Sequence, residues 1–367
     1  VAINVPEVTP TQAAQIIELL SPLHASIHLW GSPGVGKTEI VKQLARKRGA
    51  RLIDVRLSQK IASDLNGLPM IDESTGTTVF ARPAWFPTDN TEQTTLFLDE
   101  LAGADQHTRI AAYGLLLERR IENWHLPGSC QVIAASNHIE SGAISADFGT
   151  ALNDRLIHLM VAPDLSDWIS WALENSVHPA IVAYLKSHAN RLIADDLAIA
   201  TGDAVLPSPR SWKRTSDALH LIERDGKQMP RRVREAIIAG IVGAATSFEF
   251  WAVYDEVFSM PSVLDVLDAA QTHSPKLMSY LPANVNGLFA LGFSLASVMA
   301  PANVEAVMRV VLALREATTT VPSGEAMAFV GSLVLETAEK RRLHDQMLLS
   351  PSYDRYSDLM RSLRVVA

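Results

Sequence analysis

Apolar and polar positions along this chain keep two rhythms, one before and one after about Val161. In the first half, short apolar runs alternate with helical repeats and turn residues. Thr11 to Leu20 repeats at helical spacing, with Ala13, Ile16, Ile17 and Leu20 inward. Ser26 to Trp30 reads as a strand, and Thr38 to Arg48 as a helix with Ile40, Val41 and Leu44 on one face. Strands follow at Arg51 to Leu57, Thr95 to Glu100, Gln131 to Asn137 and Leu156 to Val161. Between them lie a loop with a small hairpin (63–69, turning at 73–77), a helix from Asp105 to Glu118 and a hairpin from Arg119 to Leu126.

From Asp164 onward the pattern is helical almost throughout, and no comparable strand-like run appears. Pro207-Ser208-Pro209-Arg210 ahead of Ser211-Trp212-Lys213-Arg214 is a helix start, with prolines at or inside the first turn. Strands alternating with helices predict an α/β domain with a parallel sheet and helices on both faces. The expected division is 1–163 for that domain, 164–245 for an α-helical lid and 246–367 for an α-helical C-terminal extension.

The turn between the Ser26 strand and the Thr38 helix carries the clearest chemistry. Gly31-Ser32-Pro33-Gly34-Val35-Gly36-Lys37-Thr38 satisfies every fixed position of the phosphate-binding pattern G-x-x-x-x-G-K-[ST]. Small residues let backbone N–H groups close around a triphosphate tail. Lys37 can reach the β- and γ-phosphates, and the Thr38 hydroxyl can ligate Mg²⁺. A second element supports the first: the apolar strand ending in Asp99-Glu100 places two carboxylates at a sheet's C-terminal edge, where ligands of open α/β sheets sit. Asp99 is expected to hold Mg²⁺ through water and Glu100 to polarise the attacking water. Asn137 ends a buried strand, where it either contacts the γ-phosphate and lytic water or caps the next turn. ATP and Mg²⁺ are therefore the expected ligands.

Composition narrows the class. The 367 residues carry a formal charge of −8 and are 48% hydrophobic, which is ordinary for globular chains and adverse to generic clinging to nucleic acid. The single cysteine, Cys130, lies in an apolar run and reads as a buried thiol in a reducing, cytoplasmic compartment. No signal peptide is read at the start. The uncharged stretch 277–304 is cut by Pro282, Asn284, Asn286 and Pro301, leaving a core helix from Gly287 to Ala300 that is too short for a membrane span.

The set Gly31–Thr38, Leu98-Asp99-Glu100, Ala134-Ala135-Ser136-Asn137, Asn153-Asp154-Arg155 and Ser208-Pro209-Arg210 resembles the AAA+ ATPases. Ser63-Asp64-Leu65-Asn66-Gly67, the hairpin segment 118–127 and the Ala151–Arg155 run are similar to the MoxR branch, which includes CbbQ/NorQ-type activators. The likeness spans roughly residues 10–245. It implies sensor 1 at Asn137, an arginine finger at Arg155 and sensor 2 at Arg210. It also implies a homo-oligomeric ring, most simply of six, and a client or adaptor protein with a von Willebrand factor A domain. Leu156 stands where the family usually has Phe after the finger. Arg109, Arg119 and Arg120 are rivals to Arg155 for reaching a neighbouring subunit.

The expected function is ATP hydrolysis that remodels or activates a partner protein. A nucleic-acid motor or loader, and a nucleotide-gated scaffold with negligible turnover, are the alternatives. Weaker signals read as structural: Gly292-Phe293-Ser294 inside an apolar helix and the pair Trp168 and Trp171 as packing, and the basic cluster Arg231, Arg232 and Arg234 as a solvated helix start rather than a nucleic-acid contact. Phe248, Phe250, Trp251, Tyr254 and Phe258 form either a core stripe or an interface. Trp251 and Phe258, seven apart, are expected on one face, with Phe250 and Tyr254 pointing elsewhere.

Overall fold

A computed structural model of the chain describes residues 5–137, 155–194, 205–226, 228–317 and 324–364. It divides into two compact units, Val1–Asp167 and Trp168–Ala367.

The first unit is built on a six-stranded parallel sheet. Its strands are β1 (Glu7–Val8), β2 (Ile27–Gly31), β3 (Arg51–Arg56), β6 (Thr94–Asp99), β9 (Cys130–Asn137) and β10 (Ile157–Val161), in the spatial order β1-β10-β2-β9-β6-β3. The hairpin β4 (Leu68–Asp72) with β5 (Thr77–Ala81) and the short pair β7 (Arg120–Ile121) with β8 (Trp124–His125) stand apart from it. Helices α1 (Pro10–Leu20), α2 (Lys37–Lys47), α3 (Ala62–Asn66) and α4 (Gln106–Tyr113) complete the unit. β6 and β9 are apolar nearly end to end because both sheet faces are covered. One face packs Ile27, Leu29, Phe97, Ile133 and Ala135 against Ile17, Val41 and Leu44 of α1 and α2. The other buries Leu96, Leu98, Val132 and Ala134 with Leu115, Leu116 and Ile121.

The expected fold is the observed one, and the differences are local. The edge strand β1 is two residues long, too short for an apolar pattern to announce it. The helix expected from Asp105 to Glu118 is α-helical only to Tyr113, and Gly114–Glu118 follows as a π-helical turn. A Cβ at Gly114 would lie 2.6 Å from the Arg120 carbonyl oxygen, so the chain closes there onto the following hairpin.

Helix α5 (Leu165–Glu174) leads into the second unit. There follow α6 (Pro179–Ser187), α7 (Pro209–Asp225), α8 (Arg231–Val242), α9 (Ala244–Phe258), α10 (Val263–Gln271) and α11 (Leu277–Tyr280). The last five are α12 (Val285–Val298), α13 (Val304–Ala317), α14 (Gly324–Lys340), α15 (His344–Leu348) and α16 (Tyr353–Arg364). α6 packs against α9 and α12, so the stretches on either side of residue 245 share one core. Tyr184, Trp212 and Phe250 are fully buried there. Glu249 accepts from the Tyr184 hydroxyl at 2.8 Å and from both Arg191 Nε (3.1 Å) and Nη2 (2.8 Å), so the Tyr184 hydroxyl is paired at the edge of that core.

The aromatic run divides differently from the expectation. Phe250, Trp251 and Tyr254 are all buried, whereas Phe248 and Phe258 are 83% and 64% exposed. Trp251 and Phe258 therefore do not share an environment. α9 is covered by α6, α8 and α12, which widens its buried stripe beyond one face. Phe258 only stacks on Tyr254 from outside, at 5.5 Å between ring centroids. Gly292 belongs to packing as expected: its Cβ position is 2.5 Å from Val330 Cγ2, so α12 and α14 cross closely. Among the described residues no helix is long and apolar enough to cross a membrane.

Candidate active site

The parallel sheet brings the distant motifs to one edge. Gly31, the last residue of β2, stands opposite Asn137, the last of β9. Asp99 ends β6, opposite Arg56 of β3. The loop after β2 turns with Gly34 at φ 83° and Gly36 at φ 114°, left-handed positions that a Cβ disfavours. Gly36 caps α2, and Lys37 is its first residue. The N–H groups of the first turn of α2 therefore face the loop, with the positive end of the helix dipole behind them.

Lys37 is buried, and its ammonium donates to Gly31 O at 2.7 Å, Ser32 O at 3.2 Å and Asn137 Oδ1 at 3.0 Å. The lysine is thus already drawn back along the loop. Thr38 Oγ1 donates to Asp99 Oδ2 at 3.3 Å, and Asp99 Oδ1 accepts the Glu100 N–H at 2.9 Å. Burial raises the pKa of Asp99, and the nearby Asp54 and Glu100 carboxylates push the same way against the Glu100 N–H and the Thr38 hydroxyl. A buried acid crowded by other acids, beside a hydroxyl, is a donor set suited to a hard divalent cation. Mg²⁺ fits these residues.

Glu100 sits just past the strand with φ 58° and ψ 37°, a left-handed conformation uncommon for a residue with a Cβ. Its carboxylate accepts a short hydrogen bond from the Ser58 hydroxyl and lies 3.8 Å from Arg56 Nε. Sequence reasoning missed both partners. The only trace was Arg56 at the end of a strand, since pairing of β3 with β6 brings that strand's end beside Asp99.

Gly31, Ser32, Pro33, Gly34, Val35, Gly36, Lys37, Thr38, Asp99, Glu100 and Asn137 thus share one edge of the first unit. Arg155 is exposed, two residues before β10. Its expected neighbours Asn153 and Asp154 lie outside the described residues. Of its rivals, Arg119 is committed to the fold, donating to Pro127 O at 2.8 Å and Cys130 O at 2.6 Å, and Arg120 pairs with Glu118 at 2.6 Å. Arg210 belongs to the second unit, exposed in the first turn of α7, whose cap is a Ser208–Ser211 box. Cys130 is buried, and burial pushes its thiol up to about 11.

Residues 27–143 match the family model described as ATPase family associated with various cellular activities (AAA). The matched stretch holds the P-loop, both acidic residues and Asn137, and this similarity to an AAA ATPase domain implies ATP as the nucleotide and ATP hydrolysis as the class of reaction. Among solved structures the chain is similar to NtrX from Brucella abortus, at 14% identity over 68% of this chain and 69% of that one, TM-score 0.34. NtrX in complex with ATP aligns at 12% identity over 79% and 63%, TM-score 0.39. A Cytophaga hutchinsonii protein described provisionally as an ATPase aligns at 14% over 87% and 80%, TM-score 0.31. A search of curated proteins finds no match.

Proposed function

We propose that the protein is a MoxR-like AAA+ ATPase that hydrolyses ATP to remodel or activate a partner protein, working as a homo-oligomeric ring. The observation that carries the hydrolytic part is the meeting of Lys37, Thr38, Asp99, Glu100 and Asn137 at one sheet edge. The MoxR assignment rests on the sequence resemblance, and so do the ring and a von Willebrand factor A partner.

In this reading the loop N–H groups and Lys37 hold the phosphates. Lys37 gives up some of its contacts with Gly31 O, Ser32 O and Asn137 for phosphate oxygens. The Asn137 amide is then freed, its Nδ2 to donate to the terminal phosphate or its Oδ1 to accept from the attacking water. Mg²⁺, held by Thr38 and, through water, by Asp99, would neutralise charge on the phosphate oxygens. Glu100 takes the proton of the attacking water once its carboxylate leaves Ser58. Arg155 stabilises transition-state charge in a neighbouring subunit, and Arg210 pairs with the terminal phosphate from the lid.

Two variants test the hydrolytic reading. Lys37→Ala should lose tight ATP binding, while Glu100→Gln should bind ATP and hydrolyse it at least 100-fold more slowly, the size of effect expected on removing a general base. Turnover by Glu100→Gln at the wild-type rate would rule out the role given to that carboxylate. A pull-down with Glu100→Gln in the presence of ATP tests for the partner.

A further inference from the structure

The face of the sheet beneath the site carries polar groups that the nucleotide chemistry leaves unused. His28 on β2 is fully buried, and its Nε2 lies 2.8 Å from Ser136 Oγ on β9, itself 1% exposed. The same hydroxyl oxygen accepts the Ala102 N–H at 3.0 Å. Ala102 is in the middle of the 3-10 turn Leu101–Gly103 that begins directly after Glu100. His28 packs against Trp30 at 4.2 Å between centroids, and the Trp30 indole donates to His158 Nδ1 at 3.0 Å. Burial first, then the charges of His158 and Lys37, hold His28 well below the usual histidine range, so its bond to Ser136 is one between neutral groups.

These contacts lie where β6 and β9 part, although each strand stays paired with its other neighbour. The β6–β9 ladder ends at Leu98 opposite Ala134, two residues before Glu100 and three before Asn137. Beyond it, the Ser136 hydroxyl ties the turn after Glu100 to the strand that carries Asn137. Glu100 holds a left-handed backbone, uncommon for a residue with a Cβ, directly before the turn that Ser136 holds. An apolar pair would fill the space of His28 and Ser136 without the desolvation of buried polar groups. It would not hold the Ala102 N–H.

We propose that Ser136, braced by His28, is a positioning residue that sets the Glu100 carboxylate relative to Asn137 and thereby the rate of hydrolysis. The inference rests on Glu100 acting on the attacking water, as proposed above.

The test is Ser136→Ala in the full chain, read by steady-state ATP turnover, ATP affinity and thermal unfolding. The expected result is a kcat lower by roughly 10- to 100-fold, as for a small misplacement of a catalytic group, with the Kd for ATP within about twofold of wild type. Ser136→Thr, which keeps the hydroxyl, should recover part of the loss. In a Glu100→Gln background, Ser136→Ala should cost nothing further, because the group it positions is already disabled. An unchanged kcat, a Kd that rises in step with the loss, or a full additional loss in the Glu100→Gln background would overturn the proposal. Should Ser136→Ala not fold, His28→Gln is judged by the same readings. Wild-type turnover by Glu100→Gln would sink the role of Glu100 and this inference with it. Slow Glu100→Gln beside a fast Ser136→Ala would sink this inference alone.

Discussion

A histidine sealed inside the sheet should make the stability of the α/β unit depend on pH in a way that one substitution removes. His28 is fully buried, and burial first, then the charges of His158 on β10 and Lys37 at the start of α2, hold its pKa well below the ordinary histidine value of about 6.5. Above pH 6.5 it is neutral folded and unfolded, and it contributes no pH dependence. Below that, the unfolded chain takes up a proton that the folded chain refuses, so stability falls as pH falls, by about 1.4 kcal/mol per unit until the folded pKa is reached. Between pH 7.5 and 5.5 the loss from this one group is on the order of 1 kcal/mol. For a unit of this size that is roughly 2 to 4 °C in the melting temperature. The perturbation is His28→Gln, which cannot titrate and keeps an amide near Ser136. Intrinsic fluorescence is a suitable readout because Trp30 lies 4.2 Å from the His28 ring. Wild type should lose those degrees between pH 7.5 and 5.5 in excess of the variant, whatever their offset at pH 7.5. Parallel curves over that interval would show that His28 gains its proton as easily folded as unfolded, and the reasoning would fail.

Two further outcomes follow from particular residues. Gly292→Ala should destabilise the helical unit by about 1–3 kcal/mol, since the new methyl would meet Val330, and Val330→Ala should restore part of it. An unchanged unfolding midpoint would mean that α12 and α14 can separate freely. Arg155→Ala and Lys37→Ala subunits, each inactive alone, should regain some ATPase activity when mixed, because a mixed interface can join an intact phosphate loop to an intact arginine. Mixed assemblies that form, as seen by co-purification of differently tagged subunits, yet stay inactive would remove Arg155 from that role.

The residues of the site were legible because each lies at the end of an element whose pattern is local. A run of small residues between strand and helix, an apolar strand closing in Asp99-Glu100 and another closing in Asn137 are all readable within a few positions. Strand pairing then does the rest, since parallel strands present their C-terminal ends on one edge. What the tertiary structure alone decided was contact across the sheet. Ser58 beside Glu100 depends on β3 lying next to β6, and His28 beside Ser136 depends on β2 lying next to β9, separations of 42 and 108 residues. The aromatic run of α9 could not be divided from its spacing, because how much of a helix is buried depends on how many neighbours cover it. Local order follows from backbone preference and side-chain period, whereas a hydrogen bond between residues far apart exists only once the fold has brought them within 3 Å.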